Sequence, residues 1–347
     1  MARVIIGMLI LALLPLAEAS AQTGLRAGLV AFYNLENLFD TIKSAGVNDE
    51  EFTALGPKRW TGARYREKLA NNAKVIAGIG RDEGLPGGPH VLALCEIENR
   101  EVIEDLVGTA ALAHLNYRIV HYNSFDSRGV DVALIYQPEY FVATASRSYI
   151  LPLTSEEGEE YYSRSQLVVS GELMGELMHF IVNHWPSRRS GSKASERLRI
   201  EAAQLTRSIV DSLQHIDAGA RIVVMGDLND DPTDASVTRH LRASGSIASL
   251  NKGDLYNPMY DLYRKGVGSL AYRDRWNLFD QIIVSQSLLG KDYSTFKMVA
   301  ARVYIKDFMT QRDGRFRGYP LRTFVGNQYT AGFSDHFPVY VVLGRER

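Results

Sequence analysis

The sequence predicts an α/β protein built as one domain of two packed sheets with helices outside them. Short apolar segments typical of strands are interspersed with segments that repeat apolar residues at helical spacing. No stretch rich in proline, glycine and serine divides the 347 residues, and no short-period repeat is present. With 46% hydrophobic and 23% charged residues, the chain has the composition of a globular protein that buries a substantial core.

The predicted strands are short and apolar, and many of them end at a polar residue. They span residues 29–33, 91–95, 117–122, 130–136, 165–172, 178–183, 222–225, 279–285, 296–303 and 337–343. Helices are predicted over residues 64–79, 100–112 and 195–215. The last helix contains neither glycine nor proline, and its apolar residues at helical spacing form one face.

The N-terminus has the features of a cleaved export signal. Arg3 precedes an apolar run over residues 5–17, and Ala19-Ser20-Ala21 has the small-x-small form of a cleavage site. The run is shorter than the roughly 20 apolar residues that span a bilayer. We therefore expect a signal peptide at residues 1–21, a single domain at residues 22–347, and a secreted or periplasmic bacterial protein without stable membrane insertion.

Charge and cysteine content exclude two classes of protein. Lys and Arg total 39 against 40 Asp and Glu, a net charge of -1. The chain is therefore not a strongly basic protein that binds nucleic acid over its whole surface. Cys95 is the single cysteine, which excludes a scaffold held by intramolecular disulfides.

Polar residues recur where the predicted strands begin or end. In sheet proteins these positions are where a rigid scaffold presents chemistry. Carboxylate and amide oxygens favour Mg²⁺, Mn²⁺ or Ca²⁺ over zinc, and two histidines beside them supply candidates for general acid and base. This inventory is typical of metal-assisted phosphoester hydrolysis. The residues are Asn34, Glu96, Asn183, His184, Asp227, Asn229, Asp280, Asp335 and His336.

Six motifs containing these residues occur in a recognisable order. They are Asn34-Leu35-Glu36, Cys95-Glu96-Ile97-Glu98, Asn183-His184-Trp185-Pro186-Ser187, Gly226-Asp227-Leu228-Asn229, Phe279-Asp280-Gln281 and Ser334-Asp335-His336-Phe337-Pro338-Val339. Together they resemble the endonuclease/exonuclease/phosphatase superfamily, over essentially the whole chain after the signal. The resemblance implies a DNase-I-like four-layer α/β/β/α sandwich of two mainly antiparallel sheets, with the active site at one edge.

The resemblance also implies roles for individual residues. It implies that Glu96, Asn34 and Asp335 bind the metal, Mg²⁺ or else Mn²⁺ or Ca²⁺. His184, Asp227, Asn229, Asp280 and His336 are the implied catalytic set, in which Asp280 orients the His336 imidazole. Arg164, in a Ser-Arg pair, and Asn183 are the implied substrate-binding residues. Glu36 is a further metal candidate, and Asp131 is a candidate for orienting His184.

Two questions stay open at this level. The family offers either Asp227 or an aspartate-polarised histidine as the general base, and the sequence does not choose between them. The substrate is also undetermined. We expect a secreted metal-dependent endonuclease that cleaves DNA or RNA and works as a monomer. The alternatives are a phosphodiesterase or phosphatase acting on phospholipid head groups or inositol phosphates, and a binding module for phosphate chains that has lost catalysis.

Two basic clusters favour a phosphodiester chain as the substrate. The first follows the His184 motif, and the second lies in a loop that contains Phe316 and Tyr319 and is joined by Arg273 and Arg275 ahead of Trp276. Arginine pairs well with phosphate, and aromatic rings stack on bases. The clusters comprise Arg188, Arg189, Lys193, Arg197 and Arg199, and Arg312, Arg315, Arg317 and Arg322.

Overall fold

A computed structural model describes residues 24–155, 158–188 and 191–347 of the chain. The predicted signal peptide at residues 1–21 lies outside the described residues. Four α-helices are present in the described part: α1 (Gly62–Gly78), α2 (Arg100–Val107), α3 (Glu196–Ile216) and α4 (Met259–Arg264).

Nineteen strands occur in the same described ranges. The first ten are β1 (Leu25–Leu38), β2 (Val91–Ile97), β3 (Arg118–His121), β4 (Asp131–Tyr136), β5 (Phe141–Tyr149), β6 (Pro152–Thr154), β7 (Glu160–Tyr162), β8 (Gln166–Leu173), β9 (Glu176–His184) and β10 (Ile222–Asp227). The others are β11 (Ala243–Ser244), β12 (Leu255–Tyr256), β13 (Leu270–Tyr272), β14 (Arg275–Asn277), β15 (Asp280–Ser285), β16 (Lys297–Val303), β17 (Phe324–Val325), β18 (Gln328–Tyr329) and β19 (Val339–Glu346).

Two large sheets form the centre of the molecule. Sheet A has the strand order β16-β19-β1-β2-β4-β3, and sheet B has the order β11-β12-β15-β10-β9-β8-β5. Only β1–β2 in sheet A and β9–β10 and β11–β12 in sheet B pair in parallel, so both sheets are mainly antiparallel. The fold class expected from the sequence is confirmed.

Three separate clusters of buried residues demonstrate the four layers. Alternate side chains of β1 point to opposite faces of sheet A. Leu29, Ala31 and Tyr33 lie in one cluster with residues of α1 and α2, whereas Val30 and Phe32 lie between the sheets with side chains of β9 and β10. The third cluster joins the outer face of sheet B to α3. Each sheet is therefore covered by helix on one face and by the other sheet on the second.

The structure differs from the predicted elements mainly at their ends. All ten predicted strands and three predicted helices are present, but the helix expected over residues 100–112 ends at Val107, where Gly108 forms the cap. Strand β5 was not predicted because it is the edge strand of sheet B and most of its side chains are exposed, so its sequence lacks apolar alternation. No described helix is both long enough and apolar enough to cross a membrane.

The topology brings selected strand ends to one edge of the sandwich. The parallel pairs β1–β2 and β9–β10 place four carboxyl ends there. The antiparallel neighbours β19 and β15 place their amino ends at the same edge. Because β1 and β2 contact β10 and β9 across the interface between the sheets, polar residues at these six ends are brought together.

His90 couples the fold to pH. Its Nδ1 accepts a hydrogen bond from the Leu29 backbone N–H at 3.2 Å, and its ring stacks on Tyr140 at 3.8 Å. Burial lowers the pKa of His90 to about 4. An unfolded histidine has a pKa of about 6.5, so the unfolded chain binds this proton first as the pH falls. The contribution of His90 to stability is therefore present above about pH 6.5 and is lost as the pH falls towards about 4.

We expect His90→Asn to reduce the acid sensitivity of folding, because asparagine keeps an acceptor but does not titrate. Between about pH 7 and about pH 4.5, His90 should account for up to about 2–3 kcal/mol of the fall in the free energy of unfolding. Urea unfolding at both pH values measures this difference. The control is His215→Asn, at an exposed position near the end of α3. An identical pH dependence in wild type and His90→Asn would contradict the assignment.

Candidate active site

Three functional side chains form a row across sheet B. Asp227, the last residue of β10, pairs in register with His184 of β9 on one side and with Asp280 of β15 on the other. Residues in register point to the same face of a sheet. All three are buried, and their row forms the sheet B side of the site.

Sheet A supplies the opposite side of the site. The Nδ2 of Asn34, in β1, donates to Oδ2 of Asp227 at 3.1 Å. The carboxylate of Glu96, near the end of β2, has one oxygen 3.8 Å from His184 Nε2, and the other accepts from the Asn37 backbone N–H at 2.9 Å. These contacts join the two sheets through polar groups at the same edge where their apolar interface ends.

His336 is held by a short contact with Asp280. The two side chains meet at 2.6 Å between Nδ1 and Oδ2, and Ser269 Oγ donates to the same oxygen at 2.5 Å. An ionised carboxylate only accepts, so the proton lies on Nδ1 and the Nε2 atom faces the site. Burial alone would lower the pKa of His336, but the Asp280 carboxylate, with Asp227 and Asp335, raises it well above the usual range.

Asp227 lies between two imidazoles. Its Oδ2 is 3.8 Å from His184 Nε2 and 3.9 Å from His336 Nε2. Burial raises the pKa of Asp227 to about 7, and the neighbouring Asp280 and Glu96 carboxylates add to this, whereas His336 and the Asn229 N–H oppose it. Burial is therefore the main reason that Asp227 holds a proton more readily than an exposed aspartate.

Backbone conformation at the site departs from that of ordinary strands. Glu36, Asn37, Glu96 and Asn229 have φ values between 51° and 57°, in the left-handed region that side chains rarely adopt. Such conformations cost of order 1 kcal/mol each and cluster at functional sites. They turn these strand ends so that Glu96 and Asn229 reach the site. Gly226 allows a different close approach, because a Cβ there would lie 2.1 Å from the Asn183 carbonyl oxygen.

The donor set fits a hard divalent cation. Glu96, Asn34, Asp227 and Asp335 offer oxygen ligands, as magnesium, manganese and calcium prefer. The Asp280 Oδ1 atom is buried and has no hydrogen-bond partner among the described residues. Ligand atoms of Asp227, Asp280 and His336 also lie within 4.8 Å of one another. Within that group, the Asp280 Oδ2 and His336 Nδ1 atoms bond to each other.

Asp335 and Asn229 lie at the site as expected from the sequence. The Asp335 Oδ1 atom is 3.9 Å from His336 Nε2, and its Oδ2 accepts from Arg322 Nη2 at 2.6 Å. The Asn229 backbone N–H donates to Asp227 Oδ1 at 2.9 Å, and its Nδ2 donates to the Trp185 carbonyl at 3.0 Å.

Asn183 and Arg164 are not brought into this cluster. Asn183 precedes His184 in β9, so its side chain points to the opposite face of sheet B, where its Oδ1 accepts from Trp185 Nε1 and Thr206 Oγ1. Arg164 is buried, and its guanidinium bonds to Asp126 Oδ2 at 3.1 Å and to the Trp185 carbonyl at 2.6 Å. Asn229 donates to the same Trp185 carbonyl, so this backbone oxygen links Arg164 to the site.

Asp131 does not orient His184, which corrects one expectation from the sequence. Its Oδ2 bonds to His121 Nε2 at 2.9 Å, and its Oδ1 accepts from the Ser124 N–H at 2.8 Å. His121 belongs to no motif, so its pairing with Asp131 was not predictable from motif order.

Glu36 lies beside the site in a cationic environment. Its Oε2 accepts from the Thr323 N–H at 2.6 Å, and its Oε1 is 3.3 Å from Arg322 Nε. Burial and the Asp335 carboxylate raise the pKa of Glu36 to about 7, whereas Lys68 and Arg322 oppose this rise. Arg322 therefore bridges Glu36 and Asp335, as a cation built into the rim of the site.

Sequence reasoning missed Lys68 and Ser269, which support the site from outside the motifs. The buried Lys68 ammonium donates to Thr323 Oγ1 at 2.6 Å. One signal for Lys68 was available, since it lies on the buried face of α1 with Tyr65, Leu69 and Asn72. Ser269 carried no signal, because its role depends on a contact with Asp280 that only the fold creates.

Comparisons with known proteins identify the family of the chain. The sequence profile of the Endonuclease/Exonuclease/phosphatase family matches residues 29–345. A search of curated proteins found no significant match. The chain belongs to the endonuclease/exonuclease/phosphatase family, whose members are phosphoester hydrolases and typically use divalent metals.

Solved structures with this fold cover nearly the whole chain. A family protein from Bacteroides thetaiotaomicron is 19% identical with a TM-score of 0.54, covering 92% of this chain and 98% of that one. The mannosyl-6-phosphatase of Bacteroides thetaiotaomicron VPI-5482 is 18% identical with a TM-score of 0.54, covering 91% and 99%. D. rerio TDP2 complexed with single strand DNA product is 14% identical with a TM-score of 0.53, covering 91% and 98%.

We expect Asp280→Asn to lower kcat for phosphoester hydrolysis by about 10²–10⁴-fold, because an amide does not stabilise a protonated His336 as a carboxylate does. KM should change little. The matched control is Asp131→Asn, which alters another buried aspartate–histidine pair and should leave kcat within about twofold. Steady-state kinetics on a small phosphodiester measures both variants. Equal losses in the two variants would contradict a specific role for Asp280.

Proposed function

We propose that this protein is a divalent-metal-dependent phosphodiesterase, and that its activity is that of a secreted endonuclease cleaving DNA or RNA. The observation that carries the proposal is the position of two imidazole Nε2 atoms, 3.8 Å and 3.9 Å from one oxygen of Asp227. Hydrolysis of a diester needs one group that accepts a proton from water and another that donates one to the leaving oxygen. The site offers these groups on opposite sides of a buried carboxylate.

In this proposal Glu96, Asn34 and Asp335 hold the metal ion, with Mg²⁺ as the expected ion. A bound divalent cation would neutralise charge that develops on the phosphate oxygens. Beside this set, the positive charges of Lys68 and Arg322 oppose the rise in the pKa of Glu36 that burial and Asp335 cause. The preference for magnesium follows from the oxygen ligands and the small number of imidazoles on the Glu96 side.

His336 and Asp227 are the candidates for the general base. The Asp280 carboxylate favours a protonated His336, so the imidazole accepts a proton from water only in the fraction of molecules in which it is neutral beforehand. Asp227 also suits this role, because burial raises its pKa to about 7, near the working pH of an enzyme. His184 then donates to the leaving oxygen. The base assignment left open by the sequence stays open here.

Arg164 and Asn183 receive positioning roles in this proposal instead of direct substrate contact. Arg164 holds the Trp185 carbonyl, to which Asn229 also donates. Asn183 fixes the Trp185 indole on the outer face of sheet B. Both residues thereby fix the backbone around His184 and keep Asn229 aligned with Asp227.

Nucleic acid is the preferred substrate because the same fold carries a single strand DNA product in D. rerio TDP2. Export and a monomeric state belong to this proposal as well, and both rest on the sequence. The predicted signal peptide supports the secreted location.

A phosphatase acting on inositol phosphates or lipid head groups is the second candidate. A cavity of about 510 Å³ borders the site at Glu36 and Arg322 and is also lined by Lys58, Arg128 and three phenylalanines. Such a cavity has room for a polar ring that carries phosphate. The mannosyl-6-phosphatase with the same fold supports this candidate.

We expect the purified protein to cleave plasmid DNA, single-stranded DNA or RNA with Mg²⁺ or Mn²⁺ and not with EDTA. His336→Ala should lower the rate at least about 10³-fold, because it removes the imidazole held by Asp280. His215→Ala is the control for a histidine outside the site. Gel assays of all three polymers, with bis-p-nitrophenyl and p-nitrophenyl phosphate in parallel, measure the preference.

The outcomes separate the candidate functions. Hydrolysis of the monoester without cleavage of any polymer would contradict the endonuclease and favour the phosphatase. Metal-independent binding of DNA without hydrolysis of either ester would favour a non-catalytic binding module.

A further inference from the structure

The two basic clusters of the sequence have different environments in the fold. In the first, Arg188 pairs with Asp230 at 2.7 Å and with Asp234 at 2.6 Å. Arg199 is buried and pairs with Asp230 at 2.6 Å. These arginines are neutralised inside the protein, so they serve the fold more than an external anion.

The second cluster forms one surface from two distant segments. The hairpin of β13 and β14 meets the loop over residues 310–322 through Asp274. Its carboxylate bonds to Arg315 Nη2 at 2.6 Å and to Tyr319 Oη at 3.0 Å. The rings of Trp276 and Tyr319 also contact each other, with centroids 5.5 Å apart. The arginine–aromatic surface consists of Tyr272, Arg273, Arg312, Arg315, Phe316 and Arg317.

This surface is positive and presents exposed rings. The surface holds four arginines against Asp274 and Asp313 of the same two segments, a net charge of +2. Tyr272 is 62% exposed and Phe316 is 44% exposed. A guanidinium lies over each ring, Arg273 at 5.2 Å from the Tyr272 centroid and Arg315 at 5.6 Å from that of Phe316. Rings and cations thus alternate on the outside of the molecule.

Side-chain contacts link the two segments of this surface to the active site. Phe337, the residue after His336, stacks on Trp276 with ring centroids 6.2 Å apart. At the base of the hairpin, Ser269 donates to Asp280. At the end of the loop, Arg322 bonds to Asp335. A chain that leaves the site past His336 would therefore run onto the arginine–aromatic surface.

We infer that the arginine–aromatic surface binds a single-stranded polynucleotide beside the scissile phosphate, with the arginines on phosphates and with Tyr272 and Phe316 stacked on unpaired bases. This inference rests on the proposed phosphodiesterase function and specifies its substrate. Stacking on aromatic rings strengthens binding to single strands, because every base has an exposed face when unpaired. A duplex keeps those faces inside its own stack.

The composition of the surface favours a polynucleotide over a lipid membrane. Membrane-binding surfaces insert leucine, phenylalanine or tryptophan side chains into the lipid. In these two segments Leu270 and Leu321 are half-buried, and no aliphatic side chain larger than alanine is exposed. Guanidinium groups cover the exposed rings in part. This arrangement of planar groups favours stacking with other planar groups.

The test is binding of a fluorescent single-stranded oligonucleotide of about 12 nucleotides to the full chain in EDTA, measured by fluorescence anisotropy. Phe316→Leu keeps an apolar side chain but removes the ring, and we expect it to weaken binding about tenfold. Phe316→Trp should restore binding. Arg317→Gln should lower the slope of log affinity against log salt by about 0.7. Arg147→Gln, which removes an exposed arginine over Tyr149 on β5, is the control.

The outcomes keep this inference separate from the proposed function. Unchanged affinity in both Phe316→Leu and Arg317→Gln would overturn the inference, as would equal losses in Arg147→Gln. The same duplex sequence should bind more weakly and without dependence on Phe316. Loss of binding to phosphatidylserine vesicles in Phe316→Leu, with oligonucleotide binding intact, would assign the surface to lipid and overturn the inference. Hydrolysis of bis-p-nitrophenyl phosphate, measured in parallel, tests the phosphodiesterase itself.

Discussion

The burial of the Asp227 carboxylate at the junction of the two sheets is the constraint on which the rest of the site depends. A buried carboxylate is costly unless hydrogen bonds and opposite charge compensate it. Asn34 from sheet A and the Asn229 N–H from the following turn provide the hydrogen bonds, and the imidazoles of His184 and His336 lie on either side. Despite these contacts, burial raises the pKa of Asp227 to about 7.

The two sheets position different groups of the site. Sheet B fixes a row through strand register, so the positions of His184, Asp227 and Asp280 follow from backbone pairing. In sheet A, Glu96 itself has a positive φ, and it lies where the β1–β2 and β2–β4 pairings become irregular. This backbone conformation directs its carboxylate to the site. Regular pairing thus positions the groups that we propose for proton transfer. Local departures from it set the groups that would hold the metal ion.

The sequence predicted the groups that lie at strand ends and missed those that depend on packing between elements. Motif order was enough for Glu96, Asp227, Asp280 and His336, because parallel and antiparallel neighbours bring their ends to one edge. Motif order did not predict where the Asn183 side chain points. One residue before His184, Asn183 faces α3 because side chains alternate along a strand.

Long-range pairs were beyond the reach of motif reasoning. The Asp131–His121 contact joins β4 to β3, and the role of Ser269 depends on a hairpin that reaches back to Asp280. The two arginine-rich segments differ in the same way. Their compositions are similar, but only the fold shows that Arg188 and Arg199 of the first pair with Asp230 and that the second forms an exposed surface with Asp274.

Direct measurement of metal binding tests the central claim, that the carboxylates around Asp227 hold a divalent cation through Glu96. Calorimetric titration with Mn²⁺ in the absence of substrate gives the affinity without reference to turnover. Glu96→Gln should bind at least about tenfold more weakly, because it loses a charged oxygen ligand. Glu98→Gln is the matched control, since Glu98 accepts from the Asp40 N–H and from Ser44 instead. Unchanged affinity in Glu96→Gln, or an equal loss in Glu98→Gln, would contradict the account.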